Sequence, residues 1–123
     1  MSLEALQQRV RKFAQDRDWE QFHTPKNLAM ALGGECGELL AELQWLSDEQ
    51  AAEVMQTDFS AQAVSHEIAD VAIYLLRLSD VLQIDLGKVI LDKLRLNESR
   101  YPIPRAYGNA RKYDAASDGM EGQ

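Results

Sequence analysis

A single cysteine, Cys36, stands in 123 residues. An internal disulfide is therefore excluded, and the fold must hold together on its apolar core, as suits a reducing cytoplasm. Long apolar runs are missing too: none approaches the ~20 residues of a membrane span. The N-terminal stretch is polar, with no basic region leading into an apolar one, so no secretory signal is expected. Basic residues are outnumbered, 13 against 20 acidic ones, for a net charge of −7. A protein that grips long nucleic acid shows a basic face, and this composition argues against that class of partner. Gly-rich phosphate loops, Ser-His-Asp sets, internal repeats and period-two strand patterns are likewise absent from the sequence.

What remains is helical. With 46% hydrophobic and 27% charged residues, the chain has the composition of one globular domain with a real core. Apolar residues recur at three- and four-residue spacing over 2–17, 25–46, 60–83 and 85–100, which predicts four main helices. Ser2, Thr24 followed by Pro25, Ser47 with Gln50, Ser60 and Asp85 are the expected caps. Leu28, Leu32, Leu39, Leu43 and Leu46 should line one core stripe, and Val64, Ile68, Val71, Leu75, Leu78 and Leu82 another. Cys36 reads as core packing. The expected organisation is an all-α domain over 1–104, four-helix-bundle-like, and a tail over 105–123 whose last ten residues are disordered. Arg111, Lys112 and Tyr113 are the tail residues expected to fold back on a neighbour.

The chemistry lies in two acidic pairs, Glu35 with Glu38 and Glu67 with Asp70, each three residues apart inside an apolar segment. On a helix such residues share a face, roughly 5–6 Å apart at Cβ. Two such helices packed together gather four carboxylates, which must take up protons or a cation. All-oxygen ligation suits Mg²⁺, Mn²⁺ or Ca²⁺. Such a cation would let an acidic protein hold a phosphate ester. Gly33, Gly34 and Gly37 cost the helix about 0.8–1.0 kcal/mol each, which calls for either a close neighbouring helix or room for a ligand. Around these pairs stand Trp19, Phe22 and His23 in a short connector. Trp45 shares a face with Glu38 and Glu42, and Tyr74 lies one turn beyond Asp70. Lys93, Asn97 and Arg100 make a polar face on an otherwise amphipathic helix. Trp19 offers a flat wall for a ring-shaped ligand or a cover for the helix ends. The basic face is a phosphate edge or a solvated surface.

The stretches Arg17-Asp18-Trp19-Glu20-Gln21-Phe22-His23, Glu35-x-x-Glu38, Gln44-Trp45, Glu67-x-x-Asp70-Val71-x-Ile73-Tyr74-Leu75, Lys93-x-x-x-Asn97-x-x-Arg100-Tyr101-Pro102 and Arg111-Lys112-Tyr113 carry a resemblance. Together they make the chain resemble the MazG-like all-α nucleoside triphosphate pyrophosphohydrolases, and within them the dCTP pyrophosphatase branch. The resemblance implies hydrolysis of a nucleoside triphosphate between the α- and β-phosphates. It implies Mg²⁺, with Mn²⁺ as a substitute, on Glu35, Glu38, Glu67 and Asp70. Glu38 and Glu35 would be the catalytic carboxylates, with Glu38 activating water. Trp19, His23, Trp45, Tyr74 and Asn97 would face base and sugar, and Lys93 and Arg100 the phosphates. It also implies a homotetramer built as a dimer of dimers, and a cytoplasmic role in clearing non-standard or excess deoxynucleotides. His66 stands where many relatives have glutamate, Arg95 where an acid is expected, and the segment between the acidic helices is short; these departures bear on which base is preferred. A non-enzymatic helical module that binds metal, nucleotide or a partner is the alternative. A carboxylate-bridged di-iron bundle requires Glu-x-x-His on two helices, and this sequence does not supply it.

Overall fold

The structure, a computed structural model, describes residues 1–113. Among these residues there are six α-helices and no strand: α1 Leu3–Asp16, α2 Pro25–Leu43, α3 Asp48–Ala52, α4 Asp58–Val81, α5 Leu86–Arg100 and α6 Ile103–Ala106. The four long elements are α1, α2, α4 and α5, the number that the apolar periodicity predicts. The chain divides into two compact units, Met1–Asp85 and residues from Leu86 onward. In the first, α2 packs along α4 and α1 packs on α4. Ala14 of α1, Leu28 of α2, and Val64 and Leu76 of α4 form its buried apolar centre, with Leu28 only 1% exposed.

The helix starts follow from short polar side chains that satisfy otherwise orphaned N–H groups. Ser2 Oγ accepts from the Ala5 N–H at 3.0 Å, and Thr24 Oγ1 from Asn27 at 3.1 Å, with Pro25 opening α2. Ser47 and Gln50 form the reciprocal box at the head of α3. One expected cap moves. Thr57, not Ser60, caps α4, and Ser60 donates its N–H to Thr57 Oγ1 at 3.3 Å. Both residues carry a hydroxyl, three positions apart; the Ser60 hydroxyl donates to the Val54 carbonyl, and Thr57 takes the cap.

Two helix ends had no sequence signal. α1 and α4 each close with a left-handed residue that is not glycine, Asp18 at φ 54° and Gln83 at φ 57°. In each case two N–H groups turn back onto the last carbonyls, Asp18 to Gln15 (3.1 Å) and Trp19 to Ala14 (2.9 Å), then Gln83 to Asp80 (3.0 Å) and Ile84 to Ser79 (2.9 Å). This is the Schellman closure normally reserved for glycine. The first of these reversals launches the Trp19–His23 connector, whose residues Glu20–Phe22 form a 3-10 turn.

Other expectations are corrected. α2 stops at Leu43, so Leu46 and Trp45 lie beyond it. Ile68, Leu75 and Leu82 are exposed, Ile68 by 53%, where the stripe placed them in the core. α4 is apolar on more than one side, and α1 and α2 cover only part of it. Cys36 is exposed rather than packed.

In the second unit the segment after α5 is held by aromatic contacts. The Tyr113 N–H donates to the Tyr101 hydroxyl at 2.9 Å, and their rings meet edge-on at 5.9 Å. The Arg100 guanidinium lies 4.4 Å from the centre of the Tyr113 ring. Tyr113 therefore folds back onto its own chain. The disorder expected of the last ten residues concerns positions outside those described.

Candidate functional site

The lengthwise packing of α2 on α4 sets Glu35 beside Glu67 and Asp70. One carboxylate oxygen from each of these half-buried residues lies within 4.8 Å of the other two. Burial, and then the charges of Glu35, Glu38, Asp70 and Glu42, push the Glu67 carboxyl above its ordinary pKa. Its Oε2 is buried and has no hydrogen-bond partner among the described residues. A carboxylate that is both crowded by like charge and short of a partner favours a proton or a cation. Glu38 stands apart from this set: it is exposed, one turn along α2 from Glu35, and acts on Glu67 through its charge. Around Gly33, Gly34 and Gly37 a Cβ would meet nothing within 4 Å. Among the described residues, close approach of another helix is therefore not what these glycines serve; open space adjoins them.

The connector presents its aromatics together. The Trp19 ring lies edge-on to Phe13 at 5.6 Å and to His23 at 6.2 Å. Trp19 is 42% exposed. Trp45 is 86% exposed, in the turn after α2. Tyr74 is half-buried on α4, one turn beyond Asp70. Lys93, Asn97 and Arg100 belong to α5, in the second unit; Lys93 is exposed and the other two half-buried.

The MazG-like family matches the chain over residues 32–115, a span that includes all four acidic positions. The chain belongs to the MazG-like family. Among curated proteins it is 39% identical over 112 residues to the dCTP pyrophosphatase 1 of Bos taurus and, equally, of Homo sapiens. Each alignment takes in 91% of this chain and 66% of the relative, so the chain spans just under two thirds of their length. Among solved structures it resembles a pyrophosphatase of Archaeoglobus fulgidus, with a TM-score of 0.74 and 41% identity over 80% of this chain and 91% of that one.

In this MazG-like chain the fit of the acidic cluster to a metal can be judged from its own atoms. Three carboxylates converge, all donors are oxygen, and one buried oxygen is unpartnered. That set can hold a metal ion. Without one, the Glu67 carboxyl stays crowded by like charge.

A second polar cluster was not anticipated from the sequence. Arg77 of α4 is only 5% exposed. Its Nε–H donates to His23 Nδ1 at 3.0 Å and its Nη1 to Asp80 Oδ2 at 2.9 Å, while Nη2 lies 3.8 Å from Glu20 Oε1. Arg11 of α1 grips the other side of Asp80 through two nitrogens, one at 2.9 Å. Those hydrogen bonds and charges hold the Asp80 carboxyl below its usual pKa. Burial, together with the Arg77 cation, pushes the His23 imidazole down. A cleft of about 490 Å³ opens beside this cluster, lined by Gln7, Arg11, Glu20, Arg77 and Asp80 among others. The available signal was two charges, Arg77 and Asp80, set three apart within the apolar run of α4.

Proposed function

We propose that this protein is a Mg²⁺-dependent nucleoside triphosphate pyrophosphohydrolase that converts dCTP, or a cytosine-modified dCTP, to the monophosphate and pyrophosphate. The observation that carries the reading is the convergence of Glu35, Glu67 and Asp70 around the unpartnered Glu67 Oε2 in a MazG-like chain. The names of its relatives support the same reaction class and the same base.

Three oxygens from rigid helices suit a hard divalent ion such as Mg²⁺, with Mn²⁺ as a substitute. When bound, the ion supplies neutralisation of the triphosphate and of the charge that develops on pyrophosphate. Glu35, Glu67 and Asp70 hold it, and Glu38 adds charge to the site. Glu38 has solvent access and is one turn from Glu35, which supports its role as the base. It takes the proton as the water oxygen bonds to phosphorus, and pyrophosphate leaves. Trp19, His23, Trp45, Tyr74 and Asn97 serve base and sugar, and Lys93 and Arg100 the phosphates. The working form is a homotetramer built as a dimer of dimers. The exposed apolar residues Met55, Phe59 and Ile68 support burial against a further copy. The role is clearance of the cytoplasmic deoxynucleotide pool.

Glu38→Gln tests the water-activating assignment. It should lower kcat for pyrophosphate release by about a hundredfold or more, leave the circular dichroism spectrum unchanged, and keep Mg²⁺-induced thermal stabilisation. Undiminished turnover contradicts the assignment.

A further inference from the structure

The Arg77–His23 contact carries an assignment that the reaction class alone does not. A guanidinium has only donors, so the atom that meets Arg77 Nε–H must be an acceptor. His23 Nδ1, 3.0 Å away, is therefore unprotonated. A neutral imidazole that accepts at Nδ1 carries its proton on Nε2. Arg77 is itself immobilised. Asp80 holds its Nη1 at 2.9 Å and Glu20 lies 3.8 Å from its Nη2. Asp80 is fixed in turn by Arg11 from α1, and the Gln7 side chain ties α1 to the Leu76 carbonyl of α4 at 3.2 Å. The connector bearing Trp19 and His23 is thus pinned through one buried side chain to two helices.

We propose that Arg77 is a positioning residue that fixes His23 as the neutral Nε2–H tautomer beside Trp19, so that this wall offers an uncharged donor to an acceptor oxygen on the base or sugar of the nucleotide. The proposal rests on the nucleotide reading above and deepens it. A phosphate is better served by a cation, and the groups that face His23 keep it from being one. Arg77 on α4 opposes a positive imidazole directly. Glu20 on the 3-10 turn favours it, but Asp80 is already shared between Arg77 and Arg11.

The chain has two histidines, His23 and His66, so the imidazole nitrogens can be read directly by long-range proton–nitrogen NMR on the 123-residue chain, with His66→Gln making the assignment. The expected result at pH 7 is a neutral His23 protonated on Nε2. In Arg77→Met the tautomers should mix and the His23 pKa should rise, and KM for the nucleotide should increase roughly tenfold, the loss of one hydrogen bond, with little change in kcat. Protonation of His23 on Nδ1, or on both nitrogens, in the native protein overturns the proposal. So does a folded Arg77→Met protein with an unaltered tautomer and unaltered KM, which would reduce Arg77 to a structural role. If Arg77→Met does not fold, His23→Gln, which keeps a donor at the distal position, and His23→Phe, which does not, replace it. A lower KM for glutamine supports the assignment, and equal KM values overturn it. The tautomer is read without turnover. A native Nε2–H His23 in a protein that hydrolyses no nucleotide therefore discards the functional reading and with it the nucleotide role of the wall, while the Arg77 contact stands.

Discussion

Glu67→Gln should remove nucleotide hydrolysis by at least about a hundredfold while raising, not lowering, the melting temperature of the metal-free protein. The two effects have one cause. In the absence of a cation, Glu67 is a crowded carboxylate with a buried oxygen that no described residue satisfies. An isosteric amide removes the charge and supplies a donor to Glu35 or Asp70. The sign with pH follows from the raised pKa of Glu67. The unfolded carboxyl titrates near 4.5, and the folded one holds its proton to higher pH. Metal-free native protein therefore gains stability as pH falls through the folded value toward 4.5, where the charge is neutralised. The advantage of Glu67→Gln is greatest above that window and narrows as pH drops into it. Thermal unfolding in chelator at several pH values, repeated with Mg²⁺, reads both halves. Mg²⁺ should stabilise the native protein more than the variant. A variant that melts lower without metal and turns over normally contradicts a metal role for Glu67.

The largest loss of stability should come from Asp80→Ala. Among the described residues, Asp80 is the one carboxylate held by both Arg11 and Arg77. Its removal leaves Arg77, 5% exposed, with only the distant Glu20 and a neutral imidazole for company. Stripping one partner from a buried pair costs about 3–5 kcal/mol, most of it the stranded charge. The folded pKa of Asp80 is depressed, so its contribution is fully present above the unfolded value near 3.8. It is lost as pH falls below that value through the folded one. Urea unfolding should show the full gap at pH 7 and a shrinking gap below pH ~4. Adding Arg77→Met to Asp80→Ala should cost less than Arg77→Met alone, since the second change removes the charge that the first had stranded. A gap well under 1 kcal/mol at pH 7, the value of a surface pair, contradicts the hub role.

The acidic positions and the helices were easier to read from the sequence than the packing around them. Acidic pairs three apart mark one helix face wherever the helix packs, so Glu35, Glu38, Glu67 and Asp70 stood out as a set of four before any packing was known; that Glu35 rather than Glu38 converges with Glu67 and Asp70 depends on how α2 packs on α4. Caps at Ser2, Thr24 and Ser47 were visible because each acts within three residues. The ends of α1 and α4 were not, because Asp18 and Gln83 occupy a conformation that glycine usually announces. Ile68 and Leu75 misled because apolar spacing shows that a face wants cover, not which element supplies it. Cys36 misled for a related reason. It lies among apolar residues in sequence, yet it sits with Gly33, Gly34 and Gly37 on a side of α2 that this chain leaves open. The Arg77 cluster joins residues 11, 20, 23, 77 and 80, and no local rule relates positions so far apart.

The central claim is that the carboxylates between α2 and α4 serve a triphosphate. It is tested most directly by supplying a panel of deoxy- and ribonucleoside triphosphates with Mg²⁺ and resolving the products. The account predicts monophosphate and pyrophosphate, fastest from dCTP or its 5-substituted forms, and none after chelation. Pyrophosphate released fastest from another nucleotide keeps the chemistry and contradicts the reading of the Trp19–His23 wall. A folded, Mg²⁺-binding protein that releases pyrophosphate from no nucleotide contradicts the account and points to a binding module.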